Sequence, residues 1–462
     1  MNMRQPFFNT LALPQPMALA GRRVLVLGLG DSGLSVVKWV KSEGGNVRIA
    51  DTRTSAPHKI NLPNEEIVTG KFKASLLQDV DLVCISPGLP LQEEIVQTAI
   101  TRNIPVVGDI ELFAWHVRAS AGNKVLAVTG TNGKSTVTAL TGHLLRSAGM
   151  DAEVAGNISP PALDALMKRG ATQPAAWVLE LSSYQLETTW SLAPDAAVLL
   201  NLSEDHLDRY AGLAAYAEAK ARIFAGKGAQ VLNRCDSASM ALALPERTQV
   251  TFGLDTPEIP EDFGIADGWL ARGKERILAV ADLPLSGTHN ASNALAACAL
   301  AHIAGVPIGS FAKGLRSFRG LPHRMERVAL RGGVEWLDDS KGTNVGATVA
   351  ALNGLSKKAV LILGGEGKGQ KFAPLAPAIR EHAKHVLLIG RDAALIEMAI
   401  TSSGVAVERI ASMEKAVERA AHIAAPGDAV LLSPACASFD MFRDYKHRGE
   451  TFAAAVKALG HE

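Results

Sequence analysis

The densest run of chemistry-capable residues is Gly130-Thr131-Asn132-Gly133-Lys134-Ser135-Thr136, which follows the apolar segment VLAVT and leads into VTALTGHLL. A strand, a glycine-bearing turn and a helix start in that order let backbone N–H groups curl around phosphate oxygens. The helix start adds unpaired donors and positive dipole. Lys134 has the reach for β- and γ-phosphates, and the Ser135 hydroxyl suits Mg²⁺. The run departs from the usual G-x-x-x-x-G-K-[ST]: the position five before Gly133 is Val128, and counted from Gly130 the loop is two residues shorter. The order of elements still points to nucleotide binding.

Metal ligands for such a loop belong where neighbouring strands end, because ligands of open α/β sheets gather at the carboxyl ends of strands. Trp177-Val178-Leu179 runs into Glu180, and Val198-Leu199-Leu200 runs into Asn201-Leu202-Ser203-Glu204-Asp205-His206. Glu180 and His206 supply a hard oxygen and a borderline nitrogen there. A second glycine motif, Gly28-x-Gly30-x-x-Gly33, follows the strand RRVLVL and opens a helix, with Asp51 ending the next strand. Alone it satisfies the dinucleotide fingerprint, so a nicotinamide-dependent dehydrogenase is the alternative from another reaction class. Two features oppose it: Asp51 is followed by Thr52-Arg53, and the downstream phosphate loop has no role in simple hydride transfer. A non-catalytic nucleotide-gated binding protein would not need the later cationic glycine turns DDSKGTN and GGEGKG.

The elements that must position these residues alternate between short apolar runs and amphipathic helical segments, the pattern of parallel α/β sheets covered by helices on both faces. Strands are expected near Arg23–Leu27, Val47–Ala50, Leu82–Ser86 and Ile104–Val107. A second set is expected at Val125–Thr129, Trp177–Leu181 and Ala196–Leu202, and a third at Val334–Leu337, Val360–Leu363, Val386–Ile389 and Ala429–Leu432. Between Thr248 and Pro284 short alternating runs with turn residues predict a small antiparallel sheet appended to the second set, followed by a helix over Asn290–Ala304. The predicted organisation is an N-terminal extension (1–20), a Rossmann-like domain (21–114), a central phosphate-loop domain (115–320) and a second Rossmann-like domain (321–462). The 462 residues agree with about three domains.

Lys+Arg (47) and Asp+Glu (46) nearly cancel, so no global field exists to draw in nucleic acid or a membrane surface. Cys84, Cys235, Cys298 and Cys436 are far apart, which suits a reducing compartment. No apolar run reaches about 18 residues, so no membrane span is expected. Pro14 and Pro16 interrupt the apolar N-terminus, against an export signal. A cytoplasmic location is expected.

Taken together, TGTNGKST, GNISPPAL, LELSSYQLETT, NLSEDHLDRY, GLPHRME, DDSKGTNVGAT, LGGEGKG and SPACASFDMFRDY resemble the Mur ligase family, in family order from Arg23 to Gly460. ELSSYQLE and SPACASFDMF are similar to its D-glutamate-adding members. The resemblance implies a monomer that uses ATP and Mg²⁺ (two ions) to join D-glutamate to UDP-N-acetylmuramoyl-L-alanine through an acyl phosphate, in peptidoglycan precursor synthesis. It assigns catalysis to Lys134, Glu180, His206 and Lys220, and ATP to Gly130, Thr131, Asn132, Gly133, Lys134, Ser135, Thr136, Asn290, Asn293, Arg324 and Asp339. Metal would be held by Ser135, Glu180, His206 and Lys220, the last as a carbamate formed with CO₂. The UDP precursor would meet Asp31, Ser32, Thr52, Arg53, Ser86 and Asn157, and D-glutamate would meet Lys341, Thr343, Lys368, Ser438, Phe439 and Tyr445. Two of these depart from what the residues alone suggest. Asp31 stands where the family has an apolar residue, which bears on the contact with uracil. Lys220 lies on an alanine-rich helix and reads as a solvated lysine, yet carbamate formation needs a neutral amine and a free lysine titrates near about 10.4. Burial or neighbouring cations would favour the neutral form.

Overall fold

The computed structural model describes residues 14–118, 122–205, 209–285 and 287–460. Three sheets organise them. The first has five parallel strands in the order Ile67–Thr69, Asn46–Asp51, Arg23–Leu27, Leu82–Ile85, Val106–Val107. Its central strands are apolar on both sides because helices cover both faces.

The second sheet has nine strands. Ala152–Gly156, Ala176–Glu180, Lys124–Thr129, Ala196–Leu199, Ala229–Asn233, Gln249–Phe252 and Phe263–Ala266 run parallel; Trp269–Arg272 then pairs antiparallel with Phe263–Ala266, and Glu275–Ala279 antiparallel with Trp269–Arg272. The antiparallel strands expected between Thr248 and Pro284 therefore extend this sheet and do not form one of their own. The helix Thr288–Ile303 packs its small residues Ala291, Ala294 and Ala297, all buried, against the sheet. The third sheet, with six strands, runs Glu326–Arg331, Val334–Asp338, Ala429–Leu432, Ala359–Gly364, Ala383–Ile389, Val407–Arg409. Only its first strand is antiparallel.

Several short strands escape the sequence pattern. Ile67–Thr69 and Val407–Arg409 are edge strands, half exposed and lacking an apolar run. Ala229–Asn233 is interior but carries Gln230, fully buried, whose amide oxygen accepts from Leu244 N (2.7 Å) and whose amide nitrogen donates to Leu242 O (3.1 Å). A polar residue satisfied this way is tolerated inside a sheet but hides it from a hydrophobicity reading.

The first two units share one apolar cluster, running from Val24 and Val37 through Phe113 to Trp177 and Leu199. Helix Asp109–Arg118 bridges them. Buried Glu111 accepts from Trp115 Nε1 (2.8 Å), Trp190 N (2.6 Å) and Ser191 N (2.9 Å), and Asp109 accepts from Gln185 Nε2 (3.1 Å). The third unit has its own apolar layers on the two faces of its sheet. Among the described residues no helix is long and apolar enough to cross a membrane.

Candidate active site

The phosphate loop leaves the strand Lys124–Thr129 and enters the helix Lys134–Ser147. Gly133 has φ +84°, the left-handed region that favours glycine, and a Cβ there would press within 2.5 Å of the Asn293 side-chain oxygen. The loop is pinned to the segment after the next strand. Thr131 N donates to Asn201 O (2.9 Å), Asn132 N to Asn201 Oδ1 (2.9 Å) and Asn201 Nδ2 to Asn132 O (3.1 Å). Lys134 Nζ folds back to donate to Gly130 O and Thr131 O, both at 2.8 Å. Burial lowers the Lys134 pKa, opposed by the nearby Glu180 and Asp205 carboxylates.

Glu180 ends the strand Ala176–Glu180 and is 2 % exposed. Its Oε1 accepts from Asn157 Nδ2 (2.8 Å), and its Oε2 is buried with no hydrogen-bond partner among the described residues. A buried carboxylate oxygen left without a donor beside a phosphate loop fits a hard cation. Lys220 comes from the helix Leu213–Ala221 and is 1 % exposed, so the solvated reading of its alanine-rich helix does not hold. Its Nζ donates to Gly130 O (3.0 Å) and Thr129 Oγ1 (3.3 Å) and lies 4.6 Å from the Tyr216 ring centre. Burial, aided by the Lys134 cation, pushes its pKa well below the ordinary lysine value. His206 lies outside the described residues.

A cavity of about 490 Å³ opens over the loop. Thr131, Asn132, Gly133, Lys134, Thr136, Glu180, Asn290 and Asn293 line it from the second unit, and Arg324, Asp339, Lys341, Thr343 and Lys368 from the third. Gly130 and Ser135 do not line it, but Ser135 Oγ accepts from Arg324 Nη2 at 3.0 Å, closing the loop from across the junction. Asn293 Nδ2 donates to Asn290 Oδ1 (3.2 Å). Asp339 accepts from Ser433 Oγ (2.8 Å), yet burial still drives its pKa up to about 7. Burial, reinforced by the Arg324 cation, brings the Lys341 pKa down to about 8.

A second, larger cavity of about 1360 Å³ is lined by Asp31, Ser32, Thr52, Arg53, Ser86 and Asn157, and also by Phe439 and Tyr445. Asn157, Arg324 and Lys341 line both cavities and mark where they meet. Lys341 Nζ sits 3.8 Å from the Tyr445 ring centre, and Lys368 Nζ 5.5 Å from that of Phe439. Ser438 is buried and lines neither cavity; its carbonyl accepts from Met441 N (3.2 Å) and Phe442 N (2.8 Å). The expected amino-acid residues are thus divided between the two cavities, with Ser438 behind them.

The glycine motif of the first unit packs as its spacing predicts, since a Cβ on Gly33 would lie 2.0 Å from Gly28 O. The acidic residue does not play a dinucleotide role. Asp51 is 1 % exposed, and its oxygens accept from Leu29 N (2.7 Å), Arg53 N (2.8 Å), Arg53 Nε (2.8 Å) and Arg53 Nη2 (2.6 Å). Burial raises its carboxyl, but the Arg53 side chain and the two amides outweigh that and hold the pKa at about 2. No oxygen is left to bind a ribose diol, which removes the physical basis of the dehydrogenase alternative. Asp31, by contrast, is exposed and pairs with His58 Nε2 (2.7 Å).

Two groups at the junction were not singled out by their sequence. His323 Nδ1 pairs with Asp338 Oδ2 (2.7 Å) while His323 N donates to Glu326 Oε2 (2.8 Å), fixing the turn that carries Arg324. Asn344 reaches the loop itself, donating to Asn132 Oδ1 and Asp205 Oδ2, both at 3.2 Å. Its place just before a helix, at the end of DDSKGTN, was the available signal.

Comparison with known proteins agrees with this arrangement. Residues 22–108 match the MurD-like N-terminal domain of Mur ligases, 128–301 the Mur ligase middle domain and 323–436 the glutamate ligase domain of Mur ligases. The chain is 54% identical over 457 residues to the UDP-N-acetylmuramoylalanine–D-glutamate ligase of Nitrosospira multiformis, covering 96% of this chain and 97% of that one. It is 53% identical over 462 residues to the enzyme of the same name from Thiobacillus denitrificans, covering 96% and 98%. Among solved structures, the UDP-N-acetylmuramate–alanine ligase of Thermotoga maritima superposes with a TM-score of 0.62 at 19% identity, over 95% of this chain and all (100%) of that one, a likeness of fold. The chain belongs to the Mur ligase family.

Proposed function

We propose that the protein joins D-glutamate to UDP-N-acetylmuramoyl-L-alanine at the expense of ATP, in the synthesis of peptidoglycan precursors. The observation that carries this is the meeting of the two cavities at Asn157, Arg324 and Lys341, beside a phosphate loop and the orphaned Glu180 oxygen. A long precursor held in the larger cavity can present its terminal carboxylate there to a triphosphate held in the smaller one.

A carboxylate oxygen attacks the γ-phosphorus, the bond from that phosphorus to the bridging oxygen breaks, and ADP leaves. The amine of D-glutamate then attacks the acyl carbon, loses a proton, and the collapse of the tetrahedral adduct breaks the C–O bond and expels phosphate. Catalysis of both steps consists of holding like-charged groups together in a dehydrated cleft. Lys134, Arg324 and the loop amides serve the phosphates, and Asn290 and Asn293 serve the base. Asn157 steadies the reacting end of the precursor, while Asp31, Ser32, Thr52, Arg53 and Ser86 hold its nucleotide. Lys341, Thr343 and Lys368 orient the incoming amino acid from one side and Phe439 and Tyr445 from the other, with Ser438 supporting their loop.

Mur ligases use ATP with Mg²⁺, which when bound offsets the charge between triphosphate and carboxylate. Ser135, Glu180 and His206 are the residues suited to hold it, in two sites. Lys220 is suited to join them as a carbamate. Its buried amine is held toward the neutral form that addition to CO₂ requires: an N–C bond forms, an N–H proton leaves, and an anionic oxygen pair results.

The test is phosphate release from ATP with UDP-N-acetylmuramoyl-L-alanine and a panel of D- and L-amino acids. Release that depends on both the precursor and D-glutamate supports the assignment. Release indifferent to the amine refutes it.

A further inference from the structure

We propose that Asn344 is a positioning residue that latches the third unit onto the phosphate loop and thereby sets the amino-acid wall relative to the nucleotide. The inference rests on the ligase reading for its catalytic consequence, but the latch itself stands on geometry alone.

Asn344 is buried and occupies the residue before the helix Val345–Asn353. Its Oδ1 accepts from Ala347 N at 2.8 Å, the usual bond of a helix N-cap. That bond fixes which end of the amide is which, so Nδ2 points out of the helix. Its two hydrogens go to Asn132 Oδ1 in the phosphate loop and to Asp205 Oδ2 in the segment after the strand Ala196–Leu199, each at 3.2 Å. One side chain therefore caps a helix of the third unit and grips two walls of the second. The approach is close: a Cβ on Gly346 would lie 3.3 Å from Ser203 Oγ and 3.4 Å from Asn132 Nδ2.

The same helix start is tied to the turn carrying Lys368. Val345 N donates to Gln370 Oε1 (3.0 Å), and Gln370 Nε2 donates to Gly367 O (3.0 Å). A path of hydrogen bonds thus runs from the phosphate loop through Asn344 and Gln370 to Gly367, the residue before Lys368. Both grips join residues of two different units, so the latch holds the third unit against the second and adds nothing to either unit separately.

Capping and latching can be separated. Asn344→Ser keeps a good cap but is too short to bridge the gap. Asn344→Asp keeps the cap and sets a carboxylate against Asp205. Both variants are expected to melt at the wild-type temperature. In small-angle X-ray scattering with Mg²⁺ and a non-hydrolysable ATP analogue, both should show a larger radius of gyration than wild type, Asn344→Asp the more so. Under turnover, kcat/KM for the amino acid should fall roughly ten- to a hundredfold, the loss expected for a hydrogen bond to a charged acceptor, with binding of the UDP precursor unchanged. Wild-type compactness and turnover in both variants would overturn the latch and reduce Asn344 to a cap. A wild-type protein that compacts with nucleotide but never releases phosphate would refute the ligase reading and leave the latch intact.

Discussion

Replacing Asp339 by asparagine is expected to stabilise the third unit while impairing turnover. Asp339 follows the strand Val334–Asp338, and burial holds its pKa at about 7 against an ordinary 3.8. The folded state therefore prefers the protonated acid, while the unfolded chain ionises freely. Below pH 3.8 both states are protonated and the carboxyl costs nothing. As pH rises toward 7 the unfolded state gains from ionising and the folded state does not, so stability falls; above about 7 the penalty is constant. At about 1.4 kcal/mol per pH unit, the plateau is roughly 4 kcal/mol. Asparagine keeps an oxygen to accept from Ser433 Oγ and carries no such penalty. Hydrogen exchange of the paired strands Val334–Asp338 and Ala429–Leu432 isolates this unit from the others. The advantage of Asp339→Asn should be near zero at about pH 4, grow through neutrality and level off above it. A difference that is flat with pH, or a variant less stable at pH 8 than wild type, refutes the account. ATP turnover in the variant should fall even so, because the cleft loses its acid opposite Arg324.

Lys134→Ala should abolish ADP release, while isothermal titration with UDP precursor shows little change because the site we propose for that ligand is the other cavity, which Lys134 does not line. Lys220→Arg should lose activity despite keeping a cation, since arginine forms no carbamate; added bicarbonate should not restore it, and full activity would show the modification is not needed. Arg53→Ala should weaken precursor binding about tenfold, the loss of one charge-assisted contact, and free the Asp51 carboxyl to titrate at a higher pH, with Mg·ATP binding unaffected.

The phosphate loop was legible because its residue types and its secondary structure coincide: glycines at positive φ shape the turn between a strand and a helix start, and Gly133 with Lys134 lines the cavity. The carboxyl ends of strands located Glu180 by rule, without any homologue. Lys220 was not legible from its own helix. Its burial comes from the Thr129–Gly130 strand end and from Tyr216 one turn earlier, contacts that depend on sheet order and not on local pattern. The GxGxxG of the first unit misleads for a similar reason. Its packing role is real, but whether Asp51 is free for a ribose depends on a side chain two positions on, and Arg53 takes both oxygens. Asn344 was hidden because its partners lie on another unit, more than a hundred residues away in the chain.

The cleft is arranged so that groups of both signs are pushed toward neutrality. Burial lowers Lys134, Lys220 and Lys341 and raises Asp339, each the direction expected when charge is removed from water. Such a set is a poor way to hold a fold together, and apolar residues in the same places would pack at less cost. It is a good way to receive an anionic nucleotide and a cation. Their arrival restores to these side chains the electrostatic partners that water would otherwise have provided, in a site already oriented and needing little rearrangement. The stabilising effect predicted for Asp339→Asn and its loss of turnover are then two readings of one arrangement: the strain that asparagine relieves is what the third unit brings to the phosphate loop when it docks.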